Sequence, residues 1–432
     1  MVSYNDGTKL LDSRPLTCFF FQTAFGTAFT YLTSGVFLSG LAILMGAGDV
    51  LVSYLSVIVN ICGVLILLFS TFLERFTSRK KLTLVLTALS RLTTLFIVLI
   101  PALVPDSLQL AALIPAVIAA FTLQAQTTVV LNQWMLGFVD EKKSGRYISL
   151  RQTMTLFVTV VLSLSGGRLM DYMEGKYTGF VILFAFAGMM GIVEMLLLAR
   201  TPDSPAGHIP DRRCRFRDIA GLPLHNRRFT GFVLYILAFY LLLYISDSFT
   251  MVYLMKYLAL PYQTVNILYM IISLPQIVLL GIWGKISDKK GHQFVLTTSI
   301  WLFAGETLFM SFASPETWFL FIPAAFLISS AANAGFVVAV FNRRYELMPA
   351  DNRIVYDNFY TAAIGVGFIL GPMIGGAVKH ALETNILLTS AVPFAGIRLL
   401  YPVSTAGILL LQLVYLLIQR KRKHSGDMSR EI

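Results

Sequence analysis

Long apolar runs separated by short polar islands set the rhythm of this chain. The runs cover about 16–44, 50–72, 82–103, 108–137, 147–165, 177–198, 229–258, 264–283, 293–312, 317–345, 354–378 and 397–418. A helix needs about 20 apolar residues to cross the hydrocarbon core of a bilayer. Each run meets that length, so the pattern predicts twelve membrane-spanning helices and an all-α integral membrane fold. Helices are expected because lipid offers the backbone no hydrogen-bond partner, and a helix closes all its bonds within one segment. Barrel strands would show alternation over about 10 residues, and the sequence lacks it. The first run begins after a polar stretch of mixed charge, without a small-residue cleavage site, so it reads as a retained span.

Composition agrees. Of 432 residues, 56% are hydrophobic and 13% are charged, against about 25% charged in a soluble domain. The net charge of +11 does not point to nucleic acid, because the basic residues form short clusters between the apolar runs. That is how membrane topology is written: lysine and arginine stay on the cytoplasmic side. With both termini inside, 28 of the 34 lysines and arginines fall in cytoplasmic segments. Arg168, Lys176, Lys256, Lys379 and Arg398 fall at the outer side, and Arg91 lies within a span. The expected location is the cell membrane of a bacterium. Cys18, Cys62 and Cys214 are widely spaced and make neither a disulfide framework nor a metal site. No cofactor is expected.

The longest cytoplasmic segment, 199–228, is rich in proline, glycine and arginine and reads as a linker. It divides the chain into a six-helix bundle over 1–198 and another over 229–418, followed by a charged tail, 419–432. A shift of about 210 residues superimposes the halves. STFLERFTSRKK then falls on GKISDKKGHQFV, so that Ser70 meets Gly284, Glu74 meets Asp288 and Thr77 meets Gly291. VLNQW (130–134) falls on VFNRR (340–344), and each is followed by a cytoplasmic arginine, Arg146 and Arg353. Parallel six-span repeats are a transporter architecture.

The segment GKISDKKG, 284–291, carries a resemblance to the major facilitator superfamily. Gly284, Asp288 and Gly291, with Lys289 and Lys290, match that family's loop pattern G-x-x-x-D-x-x-G. The first-half copy departs from it at Ser70, Glu74 and Thr77. The resemblance implies two six-helix bundles that expose a midplane site alternately to each side. It also implies that Glu74, Arg146, Gly284, Asp288, Gly291 and Arg353 belong to the cytoplasmic gate. An ordinary polar turn with basic anchors is the alternative reading of the same loop. A second signature, GFILGPMIGG (367–376), is similar to a pattern of drug-exporting members, though those carry it in the fifth span. Read physically, Gly367, Gly371 and Gly375 permit close helix packing and Pro372 a bend.

In this superfamily the first, fourth, seventh and tenth helices line the cavity. Here those spans are polar, which makes Gln22, Thr30, Gln124, Gln126, Tyr240, Tyr244, Asp247 and Asn333 the candidate solute contacts. Tyr240, Tyr244 and Asp247, spaced by four and three, share a helix face. Asp247 is the candidate for proton coupling, because an acid within a span is costly unless it faces protein or water. It either binds a cation, takes up a proton, caps a helix break near Ser246 and Ser248, or sits at the wet outer rim. Arg91 and Glu306 are expected to serve structural pairings, and Arg151, Arg343 and Asp357 to form ion pairs near the cytoplasmic ends.

The expected function is secondary transport of a small organic solute by a monomer in the bilayer, with proton coupling and facilitated diffusion both open. No G-x-x-x-x-G-K-[ST] motif is present to power an ATP-driven pump. A transporter-like receptor is one rival. An intramembrane lipid-modifying enzyme is the other, but His208, His225, His292, His380 and His424 all fall in loops or helix ends, so metal or nucleophile chemistry lacks its parts.

Overall fold

The computed structural model describes residues 14–73, 78–138, 144–203, 223–349, 353–384 and 394–424. Among the described residues there is no strand, and twelve helical segments of membrane-crossing length follow one another. The first is split into α1 (Arg14–Leu32) and α2 (Gly35–Leu44). Then come α3 (Asp49–Leu73), α4 (Arg79–Leu103), α5 (Asp106–Leu136), α6 (Ser144–Tyr172) and α7 (Tyr177–Arg200). The second half holds α8 (Arg227–Asp247), α9 (Tyr262–Lys290), α10 (His292–Ser311), α11 (Trp318–Leu347), α12 (Arg353–Glu383) and α13 (Leu400–His424). By length and composition 11 of the segments can cross a membrane, and the described part of α3 is apolar over Asp49–Ile58.

Three departures from the expected boundaries have local causes. The first span kinks at Thr33 and Ser34. Their hydroxyls bond back to the carbonyls of Phe29 (2.8 Å) and Thr30 (2.7 Å), and Gly35 follows at φ +55°. Hydroxyls returned to the preceding turn are a recognised cause of helix bending.

The seventh span, expected as one helix over 229–258, stops at Asp247 and resumes as Thr250–Val252 and a π-helical turn, Tyr253–Tyr257. Ser248 donates its hydroxyl to the Tyr244 carbonyl at 2.7 Å across the break. The third departure concerns GKISDKKG, expected as a loop. Helix α9 runs through it to Lys290, and the connection to α10 shrinks to Gly291 at φ +86°. Glycine adopts that left-handed conformation without steric cost.

Chain contacts divide the molecule into two units. The first takes in the described residues up to 203 together with 260–266; the second takes in 223–259 and the residues from 267 onward. In the first, α1 packs on α6 and α7, α4 on α5 and α7, and α3 on α5. Trp134 lies edge-on to Phe19 at 5.1 Å and donates its indole N–H to the Pro202 carbonyl at 3.1 Å. The Asp171 carboxylate accepts from the backbone N–H groups of Tyr262 (2.6 Å) and Gln263 (3.0 Å), which satisfies two donors that a helix start leaves open.

In the second unit α8 packs on α12 and α13, and α10 on α11 and α13. Phe229, Phe239, Phe303 and Phe336 fill its core. Tyr235 stacks on Tyr415 at 4.1 Å and donates to the Gln412 side chain at 2.5 Å. Leu92, Phe157, Val278 and Leu410 are exposed. Such faces suit hydrocarbon, where apolar side chains lose nothing by exposure.

Candidate functional site

In the first unit the polar residues of the spans engage one another. Helix α4 carries Arg91 and α7 carries Glu194, and both are buried. The guanidinium donates through Nε to Glu194 Oε2 at 3.0 Å and through NH2 to Oε1 at 3.1 Å. Gln22 on α1 adds a third donor to Oε1 at 2.8 Å, and Phe29 lies under the guanidinium at 4.2 Å. A side chain at position 26 would fall 2.6 Å from Glu194 Oε1, so Gly26 keeps the space for the carboxylate. The expected structural pairing of Arg91 is present, and its partner is an acid that the sequence reading passed over.

Gln124 donates to the Thr30 hydroxyl at 2.7 Å, joining α5 to α1. Gln126 is buried, and neither its amide oxygen nor its nitrogen has a partner among the described residues. Of the first-unit candidates, Gln22, Thr30 and Gln124 therefore spend hydrogen-bonding capacity on protein, and Gln126 does not.

The second unit contains a cavity of about 110 Å³. Tyr240, Tyr244 and Asp247 reach it from α8, Phe303 and Glu306 from α10, and Ser329, Asn333 and Phe336 from α11. Four of the sequence candidates, Tyr240, Tyr244, Asp247 and Asn333, thus line one space. Tyr240 and Tyr244 lie face to face at 5.9 Å, and Phe368 braces both at 5.2 and 4.9 Å. The Asn333 amide donates to the Ser329 carbonyl at 3.1 Å, which fixes its orientation.

Glu306 is only 6% exposed, and its Oε2 has no hydrogen-bond partner among the described residues. Its expected role is a structural pairing with no named partner; the fold instead places it, with Asp247, in the lining of this space. Its signal was visible as the lone acid of the ninth span, but nothing local to it named a companion.

Behind the cavity, α12 presents its glycines to α8. A Cβ at Gly367 would meet Tyr240 Cβ at 3.1 Å, and one at Gly371 would meet Tyr244 Cβ at 2.6 Å. A Cβ at Gly375 would run into the Ile245 carbonyl oxygen. The stripe therefore lets α12 touch the backbone of the helix that carries Asp247.

The gate candidates are distributed differently. Gly284 lies inside α9 with open space beside it, Asp288 is exposed in the last turn, and Gly291 makes the turn. Close by, His292 Nε2 lies 3.3 Å from Glu346 and Arg343 donates to the same carboxylate at 3.0 Å. Arg344 pairs with Asp357 at 3.1 Å, and Arg151 donates to the Thr23 hydroxyl at 2.6 Å. Glu74 and the side chains of Arg146 and Arg353 lie outside the described residues.

The sequence profile of the Major Facilitator Superfamily matches residues 242–427, which includes the cavity-lining residues from Leu243 onward. The fold matches solved transporters over nearly the whole chain. With nucleoside transporter NupG the TM-score is 0.66 at 15% identity, covering 93% of this chain and 97% of that one. Residues 242–427 resemble the Major Facilitator Superfamily, and the chain as a whole shares the fold of these solved transporters.

Other solved transporters share the architecture. A POT family transporter in complex with a thioalcohol-conjugated peptide gives a TM-score of 0.69 at 11% identity, covering 94% of this chain and 96% of that one. The D-xylose–proton symporter gives 0.64 at 12% identity, covering 92% and 95%. These likenesses establish the fold. In sequence, the chain is 33% identical over 101 residues to the tetracycline resistance protein, class H, of Pasteurella multocida. That alignment covers 23% of this chain and 24% of the relative, so it spans about a quarter of the relative's length. With 11 helices among the described residues long and apolar enough to cross a membrane, the chain is a multi-pass membrane protein.

Proposed function

We propose that this protein is a secondary transporter of the cell membrane that moves a small organic solute by alternating access, with both termini cytoplasmic. The observation that carries the reading is the polar, aromatic-walled cavity within otherwise apolar spans, where Asp247 and Glu306 lie together. Ionisable residues at membrane depth mark solute and proton pathways, because burying them in lipid is costly. Tyrosines offer a ring face and a hydroxyl tip to an organic ligand. Gln126, with its unpartnered amide, is the strongest first-unit candidate for a solute contact, and Gln22, Thr30 and Gln124 position their neighbours. Asp247 is the candidate for proton coupling. The solute alone can drive a cycle only if it binds the alternating states with different affinity.

Reconstitution into proteoliposomes tests this. Uptake of a panel of sugars, amino acids, nucleosides and lipophilic cations is measured with and without an imposed pH gradient. Protein-dependent uptake of one class is expected, and Asp247→Asn is expected to abolish its response to the gradient. Uptake that ignores the gradient in both proteins identifies a facilitative uniporter. Absence of uptake together with solute binding identifies a receptor-like protein.

A further inference from the structure

The second-unit cavity has a chemistry narrower than that of a general solute site. We infer that it is a receptor for the charged head of a small organic cation, an ammonium or guanidinium group; the inference rests on the cavity being the solute site proposed above. Three independent features converge on it.

The first is a pair of acids without a basic partner in the lining. Asp247 and Glu306 bring two carboxyl groups to one cavity, and among the described residues no lysine, arginine or histidine lines it. The nearby cations have other engagements. Arg344 pairs with Asp357 and lies over the Tyr360 ring, Lys379 pairs with Glu383, and Arg398 faces the Ser311 carbonyl. The first unit solves the same problem the other way, with Arg91 set directly on Glu194. Glu194 thus has a resident cation, while Glu306 and Asp247 share a space without one among the described residues.

The second feature is the open acceptor. Glu306 is more than nine-tenths buried, yet Oε2 receives no hydrogen bond among the described residues. A buried carboxylate oxygen without a donor is destabilising, because desolvation is not repaid. A ligand N–H or a positive methylammonium head supplies what is missing.

The third is the wall. Phe239, Tyr240, Tyr244, Phe303 and Phe336 surround the carboxyl groups with rings. Ring faces attract organic cations through their quadrupole, and an aromatic cage is the usual way to hold a methylated ammonium. A hard metal ion asks instead for 6–8 oxygen ligands. Size agrees as well: about 110 Å³ is below the roughly 300–1,000 Å³ of sites that swallow a drug-sized ligand. The space fits a cationic head, with the remainder of the solute outside it.

The test measures binding to the full-length protein in detergent, separately from transport. Thermal unfolding is followed with methylammonium, guanidinium, tetramethylammonium and choline chlorides at fixed pH and ionic strength. The uncharged analogue of choline, with a tert-butyl group in place of trimethylammonium, controls for shape, and sodium and potassium chlorides control for metal ions. Concentration-dependent stabilisation by at least one organic cation is expected, with none from the uncharged analogue. Equilibrium dialysis with radiolabelled choline or guanidinium should show binding about tenfold weaker or worse in Glu306→Gln, since a buried charge contact is lost.

Phe336→Leu leaves both acids in place and should weaken binding by a smaller factor, which keeps the test open if Glu306→Gln fails to fold. No stabilisation by any organic cation overturns the inference. So does equal stabilisation by sodium or potassium, or unchanged binding in both variants. Proteoliposome counterflow separates the two readings. Cation binding without counterflow leaves the site standing and removes its role in transport. Transport of a neutral solute without cation binding keeps the transporter and removes this inference.

Discussion

At the scale of single residues, the contrast between the two units lies in how they treat buried charge. Arg91 and Glu194 hold each other through two hydrogen bonds, with Gln22 and Phe29 completing the set. Removing one member of such a pair strands the other, which costs about 3–5 kcal/mol, while replacing both with apolar residues is often neutral. Glu194→Leu is therefore expected to destabilise the protein by about that amount. The double change Arg91→Leu with Glu194→Leu should recover most of the loss. Thermal unfolding in detergent checks both, and a double variant as unstable as the single one would contradict the pairing. A lone charge in an oily span announces that a partner exists. It does not name the partner, because Glu194 lies 103 positions from Arg91 and nothing in the intervening sequence relates them. Tyr240, Tyr244 and Asp247 were legible for the opposite reason: they share one turn-to-turn face, so helical spacing alone groups them.

At the scale of helices, hydropathy located nearly every element and misjudged some ends. The cause is physical. Hydropathy records where lipid stops, whereas a helix stops where its backbone bonding is interrupted. Helix α9 leaves the apolar stretch and continues through Lys285, Ser287 and Asp288 until Gly291 turns the chain. The break after Asp247 is the reverse case, a hydrogen-bonding interruption inside apolar sequence.

Two glycine changes separate packing glycines from those that are merely present. Gly284 has open space beside it, so Gly284→Ala should stabilise α9 by about 0.5–1 kcal/mol through helix propensity. Gly371→Ala drives a methyl to 2.6 Å from Tyr244 Cβ and should destabilise by about 1–3 kcal/mol as overpacking does. Because Tyr244 lines the cavity, the second change should also weaken solute binding. Parallel melts and binding isotherms of the two variants decide this, and equal effects would mean that α8 and α12 are not in contact.

For the molecule as a whole, the order of apolar runs and the charge bias conveyed architecture, while the cavity stayed hidden until α8, α10 and α11 were brought together. Topology offers a direct check at this scale. With a cytoplasmic linker over 199–228, a membrane-impermeant maleimide should label Cys214 in inside-out vesicles and not in right-side-out ones. Cys62 is buried and Cys18 is partly so, and loss of the signal in Cys214→Ser would assign it. Labelling from the outer side would reverse the orientation.

The Arg91–Glu194 pair also sets a clock. Chains grow at about 5–20 residues per second, and Glu194 emerges 103 residues after Arg91. Arg91 therefore waits about 5–20 s for its counter-charge if translation and insertion keep pace. Gln22 and Phe29 precede it and can shield the guanidinium in the interval, but neither carries a charge. A chain that stalls before α7 is left with a stranded cation in its fourth helix, and that single charge distinguishes the unfinished protein from the finished one.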